Sequence, residues 1–246
     1  MIEKKQVQDL ANRWQTTADN VIREYFQQLF LSYLYREKGS DGLLFKGGTA
    51  LRIIWQSPRF SEDLDFTGAG ISIKGIEALM EETLARIEME GIQAEIIESK
   101  STSGGYLAIF QFESGEHKSR IQVEVSLRDG KKGLGTAVLV QSDLVMPYTL
   151  IHLREDVLVS EKIRACLMRG KARDFYDLYF ILRGRMAFKE AFLKDKQLKA
   201  KILEAVRSGK LDFRRELKIF LPISQHMVIK GFPETLVAEI ERNLAG

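Results

Sequence analysis

The spacing of apolar residues changes along the chain and divides it into helical and sheet-forming stretches. In residues 5–38, apolar side chains recur at intervals of three and four, which predicts two helices. A short apolar run, Leu43–Phe45, predicts a strand that leads through Gly47 and Gly48 into a helix ending near Trp55. The chain is therefore expected to open with helices that lead into a sheet.

The middle of the chain has the pattern of a sheet, and the last third has that of helices. Residues 63–67 are predicted to form a strand and residues 73–90 a helix that ends at Gly91. Apolar and polar residues then alternate in three further predicted strands, residues 92–98, 106–112 and 121–128. From about Val157 the helical spacing returns and continues to the C-terminus. We expect three parts: a helical lead over residues 1–40, an α/β core over 41–155 and a helical domain over 156–246.

Composition limits the classes of protein to which the chain can belong. Of the 246 residues, 45% are apolar and 29% are charged, which is ordinary globular usage and argues against disorder or a disulfide scaffold. The single cysteine, Cys166, cannot form an intrachain disulfide, and the N-terminal residues run into a polar helix without an apolar signal segment. No stretch approaches the roughly 18 apolar residues typical of a membrane span. We therefore expect a cytoplasmic protein with no membrane partner.

The net charge of +3 conceals an asymmetry between the two ends of the chain. Residues 1–150 hold 17 Lys and Arg against 21 Asp and Glu, whereas residues 151–246 hold 20 against 13. The excess of basic residues in the C-terminal part could hold a polyanion, although Lys-rich helical tails also serve solubility alone.

A glycine pair lies between the first predicted strand and the helix that follows it. Gly47, Gly48 and Thr49 allow a ligand to approach the backbone, and the N–H groups of the helix start would point at it. Such a bend can bind a phosphate group. A tight turn is the simpler explanation for an isolated Gly–Gly pair.

Two aspartates follow on the next predicted strand. Because Asp63 and Asp65 are two residues apart, both carboxylates project from one face, while Leu64 and Phe66 turn toward a core. Two like charges this close favour a compensating cation. Hard oxygen ligands suit Mg²⁺, whose shell would be completed by water and by substrate phosphates.

A third carboxylate, Glu124, lies on the polar face of the strand predicted over residues 121–128. If that strand neighbours the strand of Asp63 and Asp65, the three carboxylates could hold two cations and promote phosphoryl transfer. The alternative is that Glu124 is a solvated residue on the open face of an antiparallel sheet.

The C-terminal helices contribute further charged candidates. Lys162 lies on the first of these helices, and Asp174 and Asp177 share one face of the next. One interpretation is that Lys162 neutralises a triphosphate while Asp174 positions a reacting hydroxyl or orients the lysine. The other is that these carboxylates cap the helix N-terminus, where the helix dipole favours them.

Three runs of residues carry a resemblance to a known family. They are Phe45-Lys46-Gly47-Gly48-Thr49-Ala50-Leu51, then Arg59-Phe60-Ser61-Glu62-Asp63-Leu64-Asp65-Phe66, then Lys162 with Arg169-Gly170-Lys171-Ala172-Arg173-Asp174-Phe175-Tyr176-Asp177-Leu178-Tyr179. Together they resemble the AbiEii/AbiGii toxin family of nucleotidyltransferases, which belongs to the polymerase-beta-like nucleotidyltransferase superfamily. The likeness covers residues 40–185.

The resemblance implies a fold, an activity and partners. The fold would be α+β, with a nucleotidyltransferase-like mixed-sheet core, N-terminal helices and a helical C-terminal region. The activity would be Mg²⁺-dependent transfer of a nucleoside monophosphate from an NTP, with release of pyrophosphate. Family members act as toxins of type IV toxin–antitoxin or abortive-infection systems in phage defence, and some modify the 3′ end of tRNA. The implied partners are an NTP, a tRNA or other RNA acceptor, and a cognate antitoxin.

The resemblance also implies roles for individual residues. Nucleotide binding would fall to Lys46, Gly47, Gly48, Thr49, Lys162 and Arg173. Metal binding would fall to Asp63, Asp65 and Glu124. The catalytic set would be Asp63, Asp65, Lys162 and Asp174. Independently of the resemblance, the excess of basic residues in the C-terminal part leads to the hypothesis that the tail holds the RNA backbone through Lys194, Lys196, Lys199, Lys201, Arg207, Lys210, Arg214, Arg215 and Lys218.

Two alternative functions remain open. One is a nucleotidyltransferase that modifies a small-molecule acceptor, and the other is a non-catalytic RNA- or protein-binding module on the same fold. The chain has the carboxylates and the lysine that the resemblance assigns to catalysis, Asp63, Asp65 and Lys162, and their presence argues against a non-catalytic module.

Overall fold

The chain forms two compact units, and a seven-stranded mixed sheet lies in the first. The computed structural model describes residues 2–128, 130, 133–184, 186, 197–207 and 211–243. The first unit consists of Met1–Gln56 and Phe60–Leu153, and the second of Ser57–Arg59 and Arg154–Gly246. The helical lead, residues 1–40, thus groups with the sheet.

Four helices and seven strands make up the described part of the first unit. In chain order they are α1 (Lys4–Trp14), α2 (Ala18–Leu34), a 3₁₀ turn (Ser40–Gly42), β1 (Leu43–Lys46), α3 (Gly47–Trp55), β2 (Asp63–Gly68), α4 (Ile73–Met89), β3 (Gln93–Thr102), β4 (Gly105–Ser114), β5 (His117–Ser126), β6 (Gly135–Val140) and β7 (Tyr148–Leu153).

The strand order of the sheet is β3-β4-β5-β2-β1-β7-β6. Strand β2 pairs antiparallel with β1 on one side and parallel with β5 on the other. Strand β1 also pairs parallel with β7, and the remaining neighbours are antiparallel. This order places β2 between the strand that enters the glycine bend and the strand that carries Glu124.

Aromatic packing joins helix α2 to one face of the sheet. The rings of Phe26 and Phe112 stack with centroids 5.4 Å apart, and those of Phe30 and Phe110 with centroids 5.5 Å apart. All four side chains are fully buried. The predicted apolar stripe of the second helix is therefore confirmed as a core-facing surface, which leaves the alternating polar residues of β5 on the opposite face of the sheet.

The predicted α+β class with a mixed-sheet core is confirmed, but the hydrophobic pattern does not predict two of the strands. Strand β6 is an edge strand, and most of its residues, including Leu139, are exposed. It therefore lacks the alternation of buried and exposed positions by which a half-buried strand is recognised. Strand β7 mixes apolar and polar residues without a regular period of two.

The described part of the second unit is helical. Its elements are α5 (Glu155–Met168), α6 (Ala172–Arg183), α7 (Leu198–Arg207), α8 (Phe213–Leu217), two 3₁₀ turns (Lys218–Phe220 and Ile223–Gln225), α9 (His226–Lys230) and α10 (Phe232–Asn243). Phe213 and Phe232 pack against each other, with ring centroids 5.0 Å apart. Across the described ranges of both units, none of the helices has the length and apolar character needed to cross a bilayer.

Candidate active site

The glycine bend and the aspartate strand meet at Gly47 and Asp65. Lys46, the last residue of β1, stands opposite Asp65 in the antiparallel β1–β2 pair. Gly47 follows with φ +85°, which favours glycine. A Cβ at Gly47 would overlap Oδ2 of Asp65 and would lie 2.8 Å from its Cβ and Cγ. Only a glycine therefore allows the Asp65 carboxylate to lie this close to the start of α3.

Thr49 fixes the first turn of α3 to the beginning of β2. Its hydroxyl donates a hydrogen bond of 2.5 Å to the carbonyl oxygen of Asp63, and the residue is 1% exposed. Because the hydroxyl is used in this way, a phosphate held here would be bound by backbone N–H groups at the start of α3. The first N–H groups of any helix lack partners within it.

The two aspartates lie on one face of β2, as the sequence predicts. Asp63 and Asp65 are half-buried, whereas Leu64 and Phe66 are fully buried on the other face. Strand β5 runs parallel beside β2, and it places Glu124 opposite Asp65. The three carboxylates can be close together only if β2 and β5 are adjacent, and the structure has this adjacency.

Glu124 lies at the exposed edge of this group. Its side chain is exposed, and Nε2 of Gln122 donates a hydrogen bond of 2.5 Å to its Oε1. In the described ranges, no three His, Cys, Asp or Glu side chains are grouped closely enough to hold a metal ion by themselves. The oxygen donors of Asp63 and Asp65 suit Mg²⁺, provided that water and nucleotide phosphates supply the other ligands. The assignment of the three carboxylates as metal ligands stays a prediction.

A cleft of about 600 Å³ adjoins Asp63 on the side of β5. Its charged lining comprises three cations and three carboxylates, Arg23, Lys118, Arg120, Asp19, Glu62 and Asp63. Ile97, Ile109, Ser119 and Gln122 complete it. The glycine bend follows β1, on the other side of β2 in the strand order. Asp65 thus lies against a bend suited to phosphate, and Asp63 on the same strand lines an open cleft.

In the second unit, Lys162 is held by a buried carboxylate. Its Nζ donates a hydrogen bond of 2.7 Å to Oδ2 of Asp177. Asp177 also accepts two bonds from Arg59, from Nε to Oδ1 at 2.8 Å and from Nη2 to Oδ2 at 3.0 Å. All three residues are less than 10% exposed. The sequence prediction that Asp174 could orient the lysine is therefore wrong, because Asp177 makes this contact.

The surrounding cations keep Asp177 ionised. Burial alone would raise the pKa of the Asp177 carboxyl, but Arg59 and Lys162 outweigh this effect and lower its pKa to about 2. A charged carboxylate at this depth is expected only where hydrogen-bonded cations compensate it.

Asp174 caps its own helix. Its carboxylate accepts a bond of 3.3 Å from the backbone N–H of Lys171, and Oδ1 accepts one of 2.6 Å from Nη2 of Arg169. Asp174 is 1% exposed. The capping interpretation is therefore confirmed for Asp174 but is wrong for Asp177, which binds Arg59 and Lys162 instead. A catalytic role of Asp174 stays a prediction. Arg173 lies half-buried in the first turn of the same helix, α6.

No role is predicted from the sequence for Arg59, and none beyond capping for the carboxylate of Asp177. Both residues lie in the runs that carry the family resemblance. The sequence feature that could have drawn attention to Asp177 is its i, i+3 spacing from Asp174 within the run Arg169–Tyr179. The pairing itself could not be inferred, because Arg59 and Asp177 are 118 residues apart in sequence.

Cys166 is a core residue. Burial raises the pKa of its thiol well above the ordinary value, and Sγ donates to the carbonyl oxygen of Asp174 at 3.1 Å. A thiol in this state is a poor nucleophile.

The basic residues of the tail lie largely at the surface. The exposed members are Lys201, Arg207, Arg214, Arg215 and Lys218, and Lys199 is half-buried. Lys194, Lys196 and Lys210 lie outside the described residues.

Comparison with known proteins adds a family match and a fold. A family model described as "Nucleotidyl transferase AbiEii toxin, Type IV TA system" matches residues 29–234. JHP933 from Helicobacter pylori is 17% identical with a TM-score of 0.63, and the match covers 93% of each chain. MenT4, the nucleotidyltransferase toxin Rv2826c from Mycobacterium tuberculosis H37Rv, is 17% identical with a TM-score of 0.64, over 99% of this chain and 93% of that chain. The search of curated proteins finds no match.

Proposed function

The chain belongs to the AbiEii family of type IV toxin–antitoxin nucleotidyltransferases, and on this premise we propose that it transfers a nucleoside monophosphate from an NTP to the 3′ end of tRNA with the help of Mg²⁺. The observation that carries the proposal is the close approach of Gly47 to Asp65, with Asp63 on the same strand face. This approach supports the proposal because it brings a bend suited to phosphate next to carboxylates suited to Mg²⁺.

The reaction would be an in-line substitution at the α-phosphorus. The acceptor hydroxyl gives up its proton to water as its oxygen forms a bond to this phosphorus, and the bond to the oxygen that bridges the α- and β-phosphates breaks, so that pyrophosphate leaves. Magnesium held by Asp63, Asp65 and Glu124 would supply neutralisation of the phosphate charge. The backbone N–H groups of Gly47 and Gly48 would hold the triphosphate, with Lys46 beside them. Catalysis would come mainly from positioning and electrostatic stabilisation.

The two sides of Asp63 suggest where the reactants bind. The nucleotide phosphates would lie over the bend after β1, and the acceptor hydroxyl would enter through the cleft on the β5 side. Arg23, Lys118 and Arg120 would contact the terminal phosphates of the acceptor strand. These contacts are with the backbone and do not select a base.

The second unit would add charge to substrate binding. Lys162, with Arg173, would contact the nucleotide phosphates, and Asp174 would be required for turnover. The basic residues of the tail would hold the RNA backbone through salt-sensitive contacts. The reaction would take place in the cytoplasm, and a cognate antitoxin would oppose it.

The experiment that tests this proposal supplies the purified protein with each of the four α-labelled NTPs and Mg²⁺. Total tRNA, other cellular RNA and small hydroxyl-bearing metabolites are offered as separate acceptors. Label at the 3′ end of tRNA would support the proposal, and sequencing of the labelled RNA would identify the acceptor. Label only on a small molecule would favour a small-molecule transferase, and no label on any acceptor would favour a binding module.

The matched variants are Asp63→Asn and Asp65→Asn, which keep side-chain size and remove the charge. Both should lose transfer while they retain the circular dichroism spectrum of the wild type. Transfer that survives both substitutions would contradict the assigned site.

A further inference from the structure

Two cations share one buried carboxylate in the second unit. The guanidinium of Arg59 binds both oxygens of Asp177, and the ammonium of Lys162 binds Oδ2. The exposed fractions of the side chains are 4% for Arg59, 11% for Lys162 and 2% for Asp177. Taken by themselves, these three side chains carry a net charge of +1, and Asp174, which is paired with Arg169, also attracts Arg59.

The geometry of the trio makes its two cations unequal. Arg59 satisfies both Asp177 oxygens with a two-point contact, which suits a planar guanidinium. Lys162 makes a single contact, to an oxygen that Arg59 also binds. If the ammonium of Lys162 moved toward another anion, Asp177 would still be paired. If Arg59 were removed, only Lys162 would compensate the buried carboxylate.

Pairing with Asp177 can lower the entropic cost for Lys162 of binding a ligand. Its four-carbon side chain has many rotamers, and restricting them before a ligand binds lowers the entropy that binding costs. Asp177 restricts the ammonium of Lys162 to one location. The net positive charge of the three side chains makes this location attractive to a phosphate group.

We propose that Asp177 is a positioning residue for Lys162, and that Arg59 holds Asp177 in place while the lysine ammonium contacts the nucleotide phosphates. This inference rests on the proposed nucleotidyl transfer, in which Lys162 contacts phosphate. Arg59 lies in the segment Ser57–Arg59, between α3 with its glycine bend and β2 with its aspartates. Arg59, which binds Asp177, is therefore part of the short segment that connects α3 to β2.

A double-mutant cycle separates this positioning role from a purely structural one. Asp177→Asn is made in the wild type and in the Lys162→Gln background, and kcat and KM for the NTP are measured for all four proteins. In the wild type, Asp177→Asn should lower kcat/KM about tenfold or more. In the Lys162→Gln background, the same change should lower it less than about twofold. Equal losses in the two backgrounds would overturn the inference.

A second variant covers the case in which Asp177→Asn does not fold. Asp177→Glu keeps the charge and the pairing with Arg59 but shifts the carboxylate by one methylene. Asp177→Glu should retain the wild-type circular dichroism spectrum. Its kcat/KM should lie between those of the wild type and Asp177→Asn, or between those of the wild type and Lys162→Gln if Asp177→Asn does not fold. In the Lys162→Gln background, Asp177→Glu should cause no further decrease in kcat/KM. A loss that is the same in both backgrounds would count against positioning.

The first unit offers a matched control. Glu24 and Arg52 form another largely buried ion pair, with 2.9 Å between Oε2 and Nε and side chains 8% and 14% exposed. Glu24→Gln breaks this pair and should cause the same fold-loss in kcat/KM with and without Lys162→Gln. If it instead behaves like Asp177→Asn, the loss of coupling is a general effect of instability and the inference fails.

The assay distinguishes failure of the inference from failure of the proposed function. A wild-type protein that adds no nucleotide to any acceptor would refute the function, and the inference with it. A wild-type protein that adds nucleotide, combined with additive losses in the cycle, would refute the inference alone.

Discussion

Gly47 lies directly against the side chain of Asp65, so that a single added methyl group would overlap the carboxylate. This contact joins two features that lie 18 residues apart in the sequence, the glycine bend and the aspartate strand. It follows from the antiparallel pairing of β1 with β2, which places Lys46 opposite Asp65. The geometry of this contact determines what can be substituted here.

Substitution of Gly47 should damage both stability and activity. Gly47→Ala introduces a Cβ at a positive φ and forces Asp65 to move. We expect the free energy of unfolding to fall by about 3 kcal/mol, from backbone strain and overpacking together. Transfer activity should fall at least roughly 100-fold, because an aspartate needed in place is displaced. Urea unfolding and the labelled-NTP assay measure the two effects.

Gly39 provides the control for backbone strain. It has φ +92°, and a Cβ there would meet nothing within 4 Å. Gly39→Ala should therefore lower the free energy of unfolding by about 1 kcal/mol and leave transfer intact. Equal effects of the two substitutions would show that the contact between Gly47 and Asp65 is unimportant.

Removal of the Asp65 charge should weaken metal binding without unfolding the protein. In Asp65→Asn, a neutral amide replaces a hard anionic ligand, so the Mg²⁺ concentration that supports half-maximal binding of the NTP should rise at least roughly tenfold. Titration of NTP binding with Mg²⁺ measures this shift, since it does not require turnover. Glu98→Gln on β3 removes a carboxylate that is paired with Lys100 and should leave the titration unchanged. An unchanged titration for Asp65→Asn would exclude this residue as a ligand.

The ionised state of Asp177 predicts how stability depends on pH. Its pKa is about 2 in the folded protein, against an ordinary value of 3.8. Because the folded value is the lower one, the stabilisation is fully present above about pH 4 and is lost as the pH falls toward 2. It amounts to roughly 2 kcal/mol.

Asp177→Asn should remove this dependence and expose a further cost. At pH 7 the variant leaves two buried cations without their carboxylate, which should lower the free energy of unfolding by about 3–5 kcal/mol. Urea unfolding at a series of pH values tests both effects. As a control, Asp143→Asn breaks the exposed pair with Arg13 and should cost less than about 1 kcal/mol. If Asp177→Asn loses as much stability as the wild type between pH 4 and pH 2, Asp177 is not the group that titrates.

Neutralising the exposed basic residues of the tail should weaken RNA binding in a salt-dependent way. The variant that changes Arg214, Arg215 and Lys218 to Gln should bind tRNA less tightly. Its plot of log affinity against log salt should be shallower by roughly 2, since each lost phosphate contact contributes somewhat less than one. Filter binding at several salt concentrations measures the slope.

A second triple variant controls for net charge. Lys5, Lys38 and Lys74 are exposed lysines of the first unit. Their change to Gln removes the same charge from another surface and should leave the slope nearly unchanged. If the two triple variants behave alike, the tail does not form the RNA-binding surface.

The spacing of apolar residues and the positions of the glycines were sufficient to predict the secondary-structure elements around the site. The strand before Gly47, the helix to Trp55 and the shared face of Asp63 and Asp65 all follow from periodicity and glycine chemistry. From the sequence, the adjacency of β2 and β5 could only be assumed, because strand order depends on contacts between residues that are far apart in the chain. The structure supplies it through the register that sets Glu124 opposite Asp65.

The buried trio of the second unit could not be predicted in the same way. Arg59 and Asp177 are far apart in sequence, and capping explained Asp174 and Asp177 equally well. The structure separates the two carboxylates, because Asp174 caps the helix and Asp177 binds Lys162. Strand β6 was missed for another reason, since its exposed residues do not follow the period of a half-buried strand.

The most direct test of the account follows the two ends of one nucleotide. The wild type is incubated with Mg²⁺, tRNA and an NTP labelled at either the α- or the γ-phosphate, beside Asp65→Asn as the matched variant. We expect that the α-label enters the RNA, that the γ-label is released in pyrophosphate, and that Asp65→Asn catalyses neither. Transfer of the γ-label to the acceptor, or equal α-labelling by the wild type and Asp65→Asn, would contradict this expectation.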